Sequence, residues 1–220
     1  MDIAPTQPVP VFPLPSLVLF PHAIVPVHIF ELRYRTMVRD ALSGARVIAM
    51  ALLRPGWERD YHASPEFHPL GCLARFEEVA WLPDDCYDLT LLGLSRVRLG
   101  RPAREYPYRA VPVELLPEAP YAEDDPLVAS ERRALGELYR RLAGPNPPGT
   151  PGRAGGAAGA GGELPFAALV NGVCMAAPLE PEEKLELLAL DSVIERGHRV
   201  RELATPRLRT IPREGESEHN

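Results

Sequence analysis

Lysine is almost absent from this sequence, and its absence limits nucleotide chemistry. Lys184 is the only lysine among 220 residues. A phosphate-binding loop of the GxxxxGKS/T type needs a lysine directly behind a glycine-rich turn. Lys184 lies instead within EEKLELL. The chain therefore has no such loop and is expected to hydrolyse no ATP.

Other catalytic signatures are missing as well. The sequence contains no GxSxG turn, no HExxH motif and no GxGxxG segment behind a predicted strand. A serine–lysine pair could use only Lys184, and the acidic residues at 182, 183 and 186 are expected to raise its pKa. A lysine that acts as a base needs a lowered pKa. The chain is therefore not expected to be an enzyme.

Cysteine is scarce, and the spacing of the three cysteines argues against both a disulfide framework and a zinc site. Cys72, Cys86 and Cys174 are far apart and form no CxxC pair, which argues against a disulfide framework and favours a reducing cytoplasm. His62 and His68 precede Cys72, and these side chains are of the type that binds zinc. Their spacing matches no standard zinc pattern, so neither a metal nor another cofactor is predicted.

Long apolar runs are also absent. Proline or histidine interrupts each run every few residues, and MDIAPTQPVP lacks the charged and apolar parts of a signal peptide, so neither a membrane span nor a leader is expected. The formal charge is -6 and the pI is near 5.6. The chain lacks the overall positive field that attracts proteins to nucleic acid or anionic lipid. Neither is an expected partner.

The first half of the chain contains six segments that predict β-strands. They are rich in Val, Leu and aromatic residues and are bounded by Pro, Gly and Asp, which predicts a small closed or nearly closed sheet. Prolines in them are expected at strand ends, edges or bulges, and Gly93 indicates a bulge. The segments are 9–14, 23–29, 46–53, 71–82, 87–100 and 108–116.

One segment among these strands has helical periodicity instead. Phe30, Tyr34, Met37 and Val38 recur at helical spacing within 30–43. This stripe is expected to be core, with Phe30 and Tyr34 sealing the barrel, although a partner helix could also bind it. Glu31 is expected to pair with Arg35 at i,i+4 on the outside of the helix.

The second half of the chain predicts helices and one long flexible segment. Apolar residues recur at helical spacing between 126 and 142, after 165 and after Pro181, and a last helix is predicted over 192–204. The Gly- and Pro-rich insert 144–162 predicts a flexible loop. The expected organisation is a β-rich unit over 1–120, a helical unit over 121–205 and a polar tail over 206–220.

Three features of the sequence carry a family resemblance. PLPSLVLFP is followed by VPVHIFELRY, GCLARF leads through a proline-acid turn to YDLTLLGLSRVRL, and EEKLELL precedes a helix containing ER. Over nearly its whole length the chain resembles the N-terminal substrate-binding domain of Lon proteases, and in particular stand-alone bacterial forms without the ATPase and protease domains. The resemblance rests on signature positions with structural roles, namely Pro21, Phe30, Glu31, Arg33, Tyr34, Gly71 and Gly93.

This resemblance implies a fold and a function. The implied fold is α+β, a PUA-like β pseudobarrel with one inserted helix followed by a C-terminal helical bundle. The implied function is non-enzymatic binding of unfolded or damaged polypeptides, alone or as an adaptor for a separate protease or chaperone. PUA-like barrels also bind RNA, which is the alternative that fold sharing leaves open.

Polypeptide binding requires exposed apolar or aromatic surface, and one segment offers it. RPGWERDYHASPEFHP is too polar and too interrupted by proline for a strand, and Arg54, Trp57, Tyr61 and Phe67 are the predicted peptide-binding residues. Two alternatives remain open at this point. Trp57 and Phe67 could fold back over the end of the barrel, or an open sheet edge could accept an extended peptide.

Overall fold

A computed structural model describes residues 7–61, 64–143 and 164–208. Within them the chain forms a seven-stranded mixed sheet and five α-helices, which confirms the predicted α+β fold. The strands are β1 (Val9–Leu14), β2 (Ile24–Ile29), β3 (Val47–Leu53), β4 (Phe67–Trp81), β5 (Tyr87–Leu99), β6 (Ala110–Val111) and β7 (Val113–Leu116). The helices are α1 (Leu32–Leu42), α2 (Pro126–Ala143), α3 (Phe166–Ala176), α4 (Pro181–Ala189) and α5 (Val193–Leu208).

The sheet closes on itself at Pro112. Strands pair in the order β2-β5-β4-β3-β1-β6, and β7 returns to pair with β5. Only Pro112 separates β6 from β7, so one kinked segment pairs with β1 on one side of the kink and with β5 on the other. Proline has no N–H to donate to a ladder. At Pro112 this causes no loss, because the residue lies between the two ladders and belongs to neither. Pro26 lies in β2, which is a terminal strand of the path.

Because of a bulge, strand β5 contributes side chains to two hydrophobic clusters. Leu73 pairs with Ser95, but Ala74 pairs with Gly93, so β5 carries one extra residue at this point. The extra residue reverses which side chains face which side. Leu91, before the bulge, packs in the main core, whereas Val97, beyond it, packs in a second cluster inside the barrel. The bulge predicted at Gly93 is confirmed.

Helix α1 buries one face, but it begins later than predicted. Tyr34, Met37 and Val38 are buried as expected, and Phe12 packs edge-on against Tyr34 with 4.8 Å between ring centroids. Phe30 precedes the helix and is 63% exposed, so the prediction that it seals the barrel is wrong. The chain is still leaving β2 at this residue, so its side chain does not follow the helical stripe.

The predicted pair between Glu31 and Arg35 is also wrong. Glu31 is the N-cap residue of α1, and its carbonyl accepts a hydrogen bond from the Arg35 N–H at 2.9 Å, but its backbone is extended and its side chain does not follow the helical face of Arg35. Its carboxylate instead contacts Arg33 at 2.9 Å. Arg35 pairs with Asp85 in the turn between β4 and β5 at 2.9 Å. Asp85 has a φ of 62°, which fits the tolerance of Asp for left-handed turn positions.

Strand β4 is longer than the sequence predicts. It begins at Phe67, which pairs with Leu53 of β3, so the end of the presumed loop belongs to the sheet. A register shift between Ala51 and Leu53 accommodates the change. Strand pairing overrides the local proline signal here, because Phe67 packs against the second cluster. The preceding residues form a 3-10 helix over Trp57–Asp60.

The helices of the second half pack on the barrel through the main core. Buried residues of this core come from both parts of the chain, including Phe12 and Met50 from the strands and Phe166 and Val200 from the helices. Helix α5 continues through Pro206 to Leu208, so the first residues of the predicted polar tail are helical. The predicted insert 144–162 lies outside the described residues, as does the rest of the tail.

Two buried arginines hold helix α4 to its neighbours. Arg196 of α5 is fully buried and donates to the carbonyls of Leu187 and Leu190 at 3.1 and 2.6 Å. Arg96 of β5 donates to the carbonyls of Leu188 and Ala189 at 3.1 and 3.4 Å. The last carbonyls of a helix lack partners within the helix and carry partial negative charge. The two guanidinium groups therefore cap α4 and join it to the barrel and to α5.

Candidate functional site

The segment that contains Trp57 and Tyr61 lies against the start of α1. Gly56 introduces it with a φ of 88°, a left-handed conformation that glycine adopts without strain. The Trp57 and Tyr61 rings meet edge to face with 5.5 Å between centroids. The Tyr61 hydroxyl donates to Glu31 at 2.5 Å. Burial and this hydrogen bond to Glu31 raise the pKa of Tyr61.

Arg33 joins this segment to the body of the protein. Its guanidinium lies 4.6 Å from the Tyr34 ring centroid and 5.1 Å from that of Tyr61. The same group pairs with Glu31 at 2.9 Å. Trp57 and Tyr61 are both partly buried in this arrangement. The segment is therefore a folded surface feature held by specific contacts.

The other two predicted site residues lie elsewhere. Arg54 Nε is 3.4 Å from the carbonyl of Phe67 and 3.9 Å from the carboxylate of Glu66. Phe67 lies under the guanidinium of Arg109, which is 4.5 Å from its ring centroid. Arg54, Phe67 and Arg109 line a groove of about 880 Å³. The predicted set thus divides between the start of α1 and this groove.

Three large apolar side chains are exposed near one end of the sheet. Phe30 is 63%, Leu32 65% and Trp81 71% exposed; we call these three residues the apolar rim. Ile29 of β2 and Trp81 of β4 both pair with Tyr87 of β5, from opposite sides. Phe30 directly follows Ile29, so the register places both aromatic residues at the same end of the sheet.

Polar contacts fix the elements that carry the rim. The Trp81 indole donates to one carboxylate oxygen of Asp85 at 3.3 Å, and Arg35 binds the other at 2.9 Å. Arg35 follows Leu32 by one helical turn, so a shared carboxylate connects the helix and the strand. The Phe30 ring stacks on His28 with 6.1 Å between centroids. Glu31 lies between Phe30 and Leu32 in sequence and accepts the hydrogen bond from Tyr61, so it connects the rim with Tyr61.

The sequence identified part of this surface. Arg109 was missed because it is more than forty residues from Phe67 along the chain and no local pattern links them. The rim was not predicted, because the helical pattern places Phe30 in a buried stripe and the predicted strand 71–82 does not indicate whether Trp81 is exposed. Their positions at the ends of β2 and β4 are the one available signal, since side chains at strand ends often lack a covering neighbour.

Two buried cysteines and the lysine are held in structural positions. Burial raises the pKa of both the Cys72 and the Cys174 thiol to about 12, so neither is a thiolate near neutral pH. Burial lowers the pKa of Lys184, contrary to the expected rise, because the side chain folds inward. Its ammonium donates to the Met175 carbonyl at 2.8 Å and thereby caps α3.

The described ranges contain neither a metal-ligand cluster nor a membrane-spanning helix. In residues 7–61, 64–143 and 164–208, no group of three or more His, Cys, Asp or Glu side chains is placed to hold a metal ion. His62, one of the residues considered for zinc, lies outside these ranges. No helix in the same ranges has the length and apolar character needed to cross a membrane.

Comparison with known proteins connects this geometry with a family. A model described as the substrate-binding domain of ATP-dependent protease La (LON) matches residues 8–205. Lon protease of Desulfosudis oleivorans is 32% identical over 100 residues, which are 46% of this chain and 12% of that protease. Lon protease of Flavobacterium johnsoniae is 25% identical over 201 residues, which are 85% of this chain and 22% of that protease. The chain spans only a small part of these relatives.

Solved structures show the same fold. A Lon N-terminal domain protein from Xanthomonas campestris superposes with a TM-score of 0.61 at 23% identity, over 88% of this chain and 96% of that chain. The N-terminal domain of a Mycobacterium avium complex Lon protease superposes with a TM-score of 0.64 at 19% identity, over 90% of this chain and 98% of that chain. At these identities the likeness establishes the fold alone.

Proposed function

The chain belongs to the Lon substrate-binding domain family, and we propose that it binds unfolded or damaged polypeptides without itself catalysing a reaction. The observation that carries the proposal is the apolar rim. Phe30, Leu32 and Trp81 are each more than 60% exposed and gather at one end of the sheet, whereas Tyr106 and Leu127, the other exposed large apolar residues in the described ranges, lie in the β5–β6 connection and in α2. A cluster of exposed apolar groups is typical of a surface that receives a partner.

The chemistry of the rim suits an unfolded chain as its ligand. Unfolding exposes apolar side chains that a folded protein hides, and an exposed aromatic surface binds them by removing both from water. Trp57 and Tyr61 extend the surface, because Tyr61 contacts Glu31 between Phe30 and Leu32. Contacts of this kind depend on apolar area and tolerate many sequences. The proposed site is therefore the rim together with this aromatic pair.

Replacing the three rim residues by serine should remove most of the binding. The triple variant Phe30→Ser, Leu32→Ser, Trp81→Ser is expected to raise the Kd for reduced, alkylated α-lactalbumin at least about tenfold. Binding weakens because the variant lacks the three apolar side chains that contact the probe. The fold is preserved because these side chains are mostly exposed and lie outside the hydrophobic core. Fluorescence anisotropy of the labelled probe measures the change, and the melting temperature should stay close to that of the wild type.

The chain offers a matched control for this experiment. Tyr106 and Leu127 are 86% and 65% exposed and belong to neither the rim nor the aromatic pair. Tyr106→Ser, Leu127→Ser removes a similar apolar surface and should leave the Kd unchanged. Equal weakening by both variants would show that binding follows total exposed apolar area, and unchanged binding by the triple variant would place the site elsewhere.

The aromatic pair can be tested separately. Trp57→Ala, Tyr61→Ala is expected to weaken binding of the same probe by about threefold to tenfold, because two large rings are lost beside the rim. Some fall in melting temperature is expected, since Tyr61 holds Glu31 and Arg33. Tyr61→Phe keeps the ring and loses the hydrogen bond, so it separates the two effects. If the double variant binds like the wild type, the pair has no part in recognition.

We further propose that the chain acts in the cytoplasm as an adaptor or competitor for a separate protease or chaperone. Its three cysteines are free and buried, which is typical of proteins from a reducing compartment. Pull-down from cell extract with the wild type and the triple rim variant tests this role. Rim-dependent recovery of unfolded clients supports direct client binding, whereas one folded partner recovered equally by both proteins supports an adaptor surface outside the rim.

A further inference from the structure

The groove beside Phe67 is locally positive although the protein is acidic. Arg54, Arg101 and Arg109 line it together with Glu66 and Glu105, whereas the whole chain carries a formal charge of -6. The groove has a volume of about 880 Å³. Its walls are the start of β4, the loop that follows β5 and the segment that leads into β6.

Arg109 is the fixed cation of this groove. It donates to the carbonyl of Pro65 at 2.6 Å and stacks on the Phe67 ring. Within the described residues, no carboxylate oxygen lies within ion-pair distance of its guanidinium. Burial lowers the pKa of Arg109, and the nearby Tyr34 and Glu105 oppose this shift in part. A guanidinium has five N–H donors, so one carbonyl contact leaves several for an acidic ligand.

Two further cations are weakly paired. Arg54 lies 3.9 Å from Glu66, whose side chain is 84% exposed, and such a contact contributes little in water. Arg101 is exposed and forms no hydrogen bond or ion pair with any residue in the described part of the chain. Both side chains can therefore turn to an incoming carboxylate at little cost.

Arg33 connects the groove with the aromatic pair. It contacts the Tyr61 ring and, together with Ser64 and Arg109, lines a small cleft of about 20 Å³. This cleft is too small to hold a polypeptide, so a chain bound at the rim and the aromatic pair reaches the groove over the surface beside Arg33.

We propose that this arginine groove binds the aspartate and glutamate side chains of the polypeptide that the rim holds, so that the protein prefers acidic unfolded segments. The inference rests on the proposed function. The ligand is a peptide and not a nucleic acid for two reasons. Glu66 and Glu105 would repel a continuous phosphate backbone, whereas separate carboxylates can avoid them. The face of Phe67 is already covered by Arg109, so no base can stack there.

Two peptides of equal length and apolar content test the preference. One carries Asp and Glu, the other Asn and Gln at the same positions, and both carry a rhodamine label with no net charge. The wild type is expected to bind the acidic peptide about fivefold more tightly at low salt. The preference should disappear at 1 M salt, where screening is strong.

Arg54→Gln, Arg101→Gln should reduce the preference to about twofold or less, because only Arg109 remains, and should leave binding of the neutral peptide unchanged. Both arginines are exposed, so the fold should be preserved. Arg140→Gln, Arg199→Gln is the matched control, because it removes the same charge from exposed helical positions outside the groove. The control variant should retain the preference.

Each outcome decides between this inference and the proposed function. If the wild type binds both peptides equally, the arginine groove has no role in recognition while polypeptide binding stands. If it binds neither peptide, the proposed function fails and this inference fails with it. If an oligouridylate competes with the acidic peptide for the wild type but not for the groove variant, the groove is a nucleic-acid site and the inference is wrong.

Discussion

Replacing Arg196 by alanine is expected to lower the free energy of unfolding by about 4 kcal/mol, the range found when one partner of a buried charged network is removed. Arg196 is fully buried and binds Glu118 at 2.7 Å and the Asn171 side chain at 2.8 Å. It also holds the carbonyls of Leu187 and Leu190 at the end of α4. The substitution removes one donor from each of these four acceptors and creates a cavity, although the Leu187 carbonyl still accepts from the Leu190 N–H and Glu118 still lies 3.9 Å from Arg96.

A second arginine on the same helix is the matched control. Arg199 is exposed and pairs with Glu202 at 3.3 Å, an i,i+3 contact on the helix surface. Arg199→Ala should change stability by less than about 0.5 kcal/mol. Urea denaturation of both variants measures the difference. A loss below about 1 kcal/mol for Arg196→Ala would mean that water replaces the guanidinium and that the network does not hold α4 in place.

Arg196→Lys separates charge from geometry. Lysine keeps the positive charge but has one compact ammonium with three donors, so it cannot reach the two sides of the network at once. Its stability is expected to fall between those of the wild type and the alanine variant. Stability equal to that of the wild type would show that charge alone matters. Stability equal to that of the alanine variant would show that the planar guanidinium group, with its several donors, matters most.

Much of the barrel could be predicted because its signals are local. Strand segments such as 9–14 and 87–100 are rich in Val, Leu and aromatic residues, and turn residues bound them. Gly93 predicted the bulge, and Pro112 was expected at a strand end, an edge or a bulge, because each residue type has a restricted role in a sheet. These effects depend on a residue and its immediate neighbours, so the sequence shows them directly.

Long-range contacts could not be predicted in the same way. Arg96 and Arg196 lie in segments where arginine looks like a normal surface residue, and their acceptors are distant in sequence or at the end of another helix. The Glu31 interaction with Tyr61 spans thirty residues. Tertiary packing decides such pairings, and one sequence contains no information on which charged residues will meet.

The candidate site was only partly predictable for the same reason. Aromatic residues in a proline-rich segment indicated Trp57 and Tyr61, and the structure places both on the surface beside α1. The helical pattern was misleading for Phe30, because periodicity does not show where a helix begins to within one turn. Arg109 joins the groove only after β6 folds beside β1. The groove is therefore a product of topology.

Replacing Gly93 at the β5 bulge is expected to have the second large effect on stability, because there is no room for a side chain at this position. A Cβ atom at Gly93 would lie 2.1 Å from the carbonyl oxygen of Phe20 and 3.3 Å from the sulfur of Cys72. Hydrogen bonds enforce this close approach, since Gly93 donates to Ala23 at 2.9 Å and accepts from His22 at 2.8 Å. The bulge and the 20–23 segment cannot separate without breaking both bonds.

Gly93→Ala is therefore expected to cost about 3 kcal/mol, near the upper end of the usual effect of overpacking, because the atom it meets is backbone. The same substitution at Gly136 should do the opposite. A Cβ there meets nothing within 4 Å, and the residue lies inside α2, where alanine favours the helix by about 1 kcal/mol over glycine. Thermal and urea denaturation of the two variants should give shifts of opposite sign. A stability of Gly93→Ala close to that of the wild type would show that the strand yields at the bulge, and that Gly93 is dispensable for closing β5 against the segment before β2.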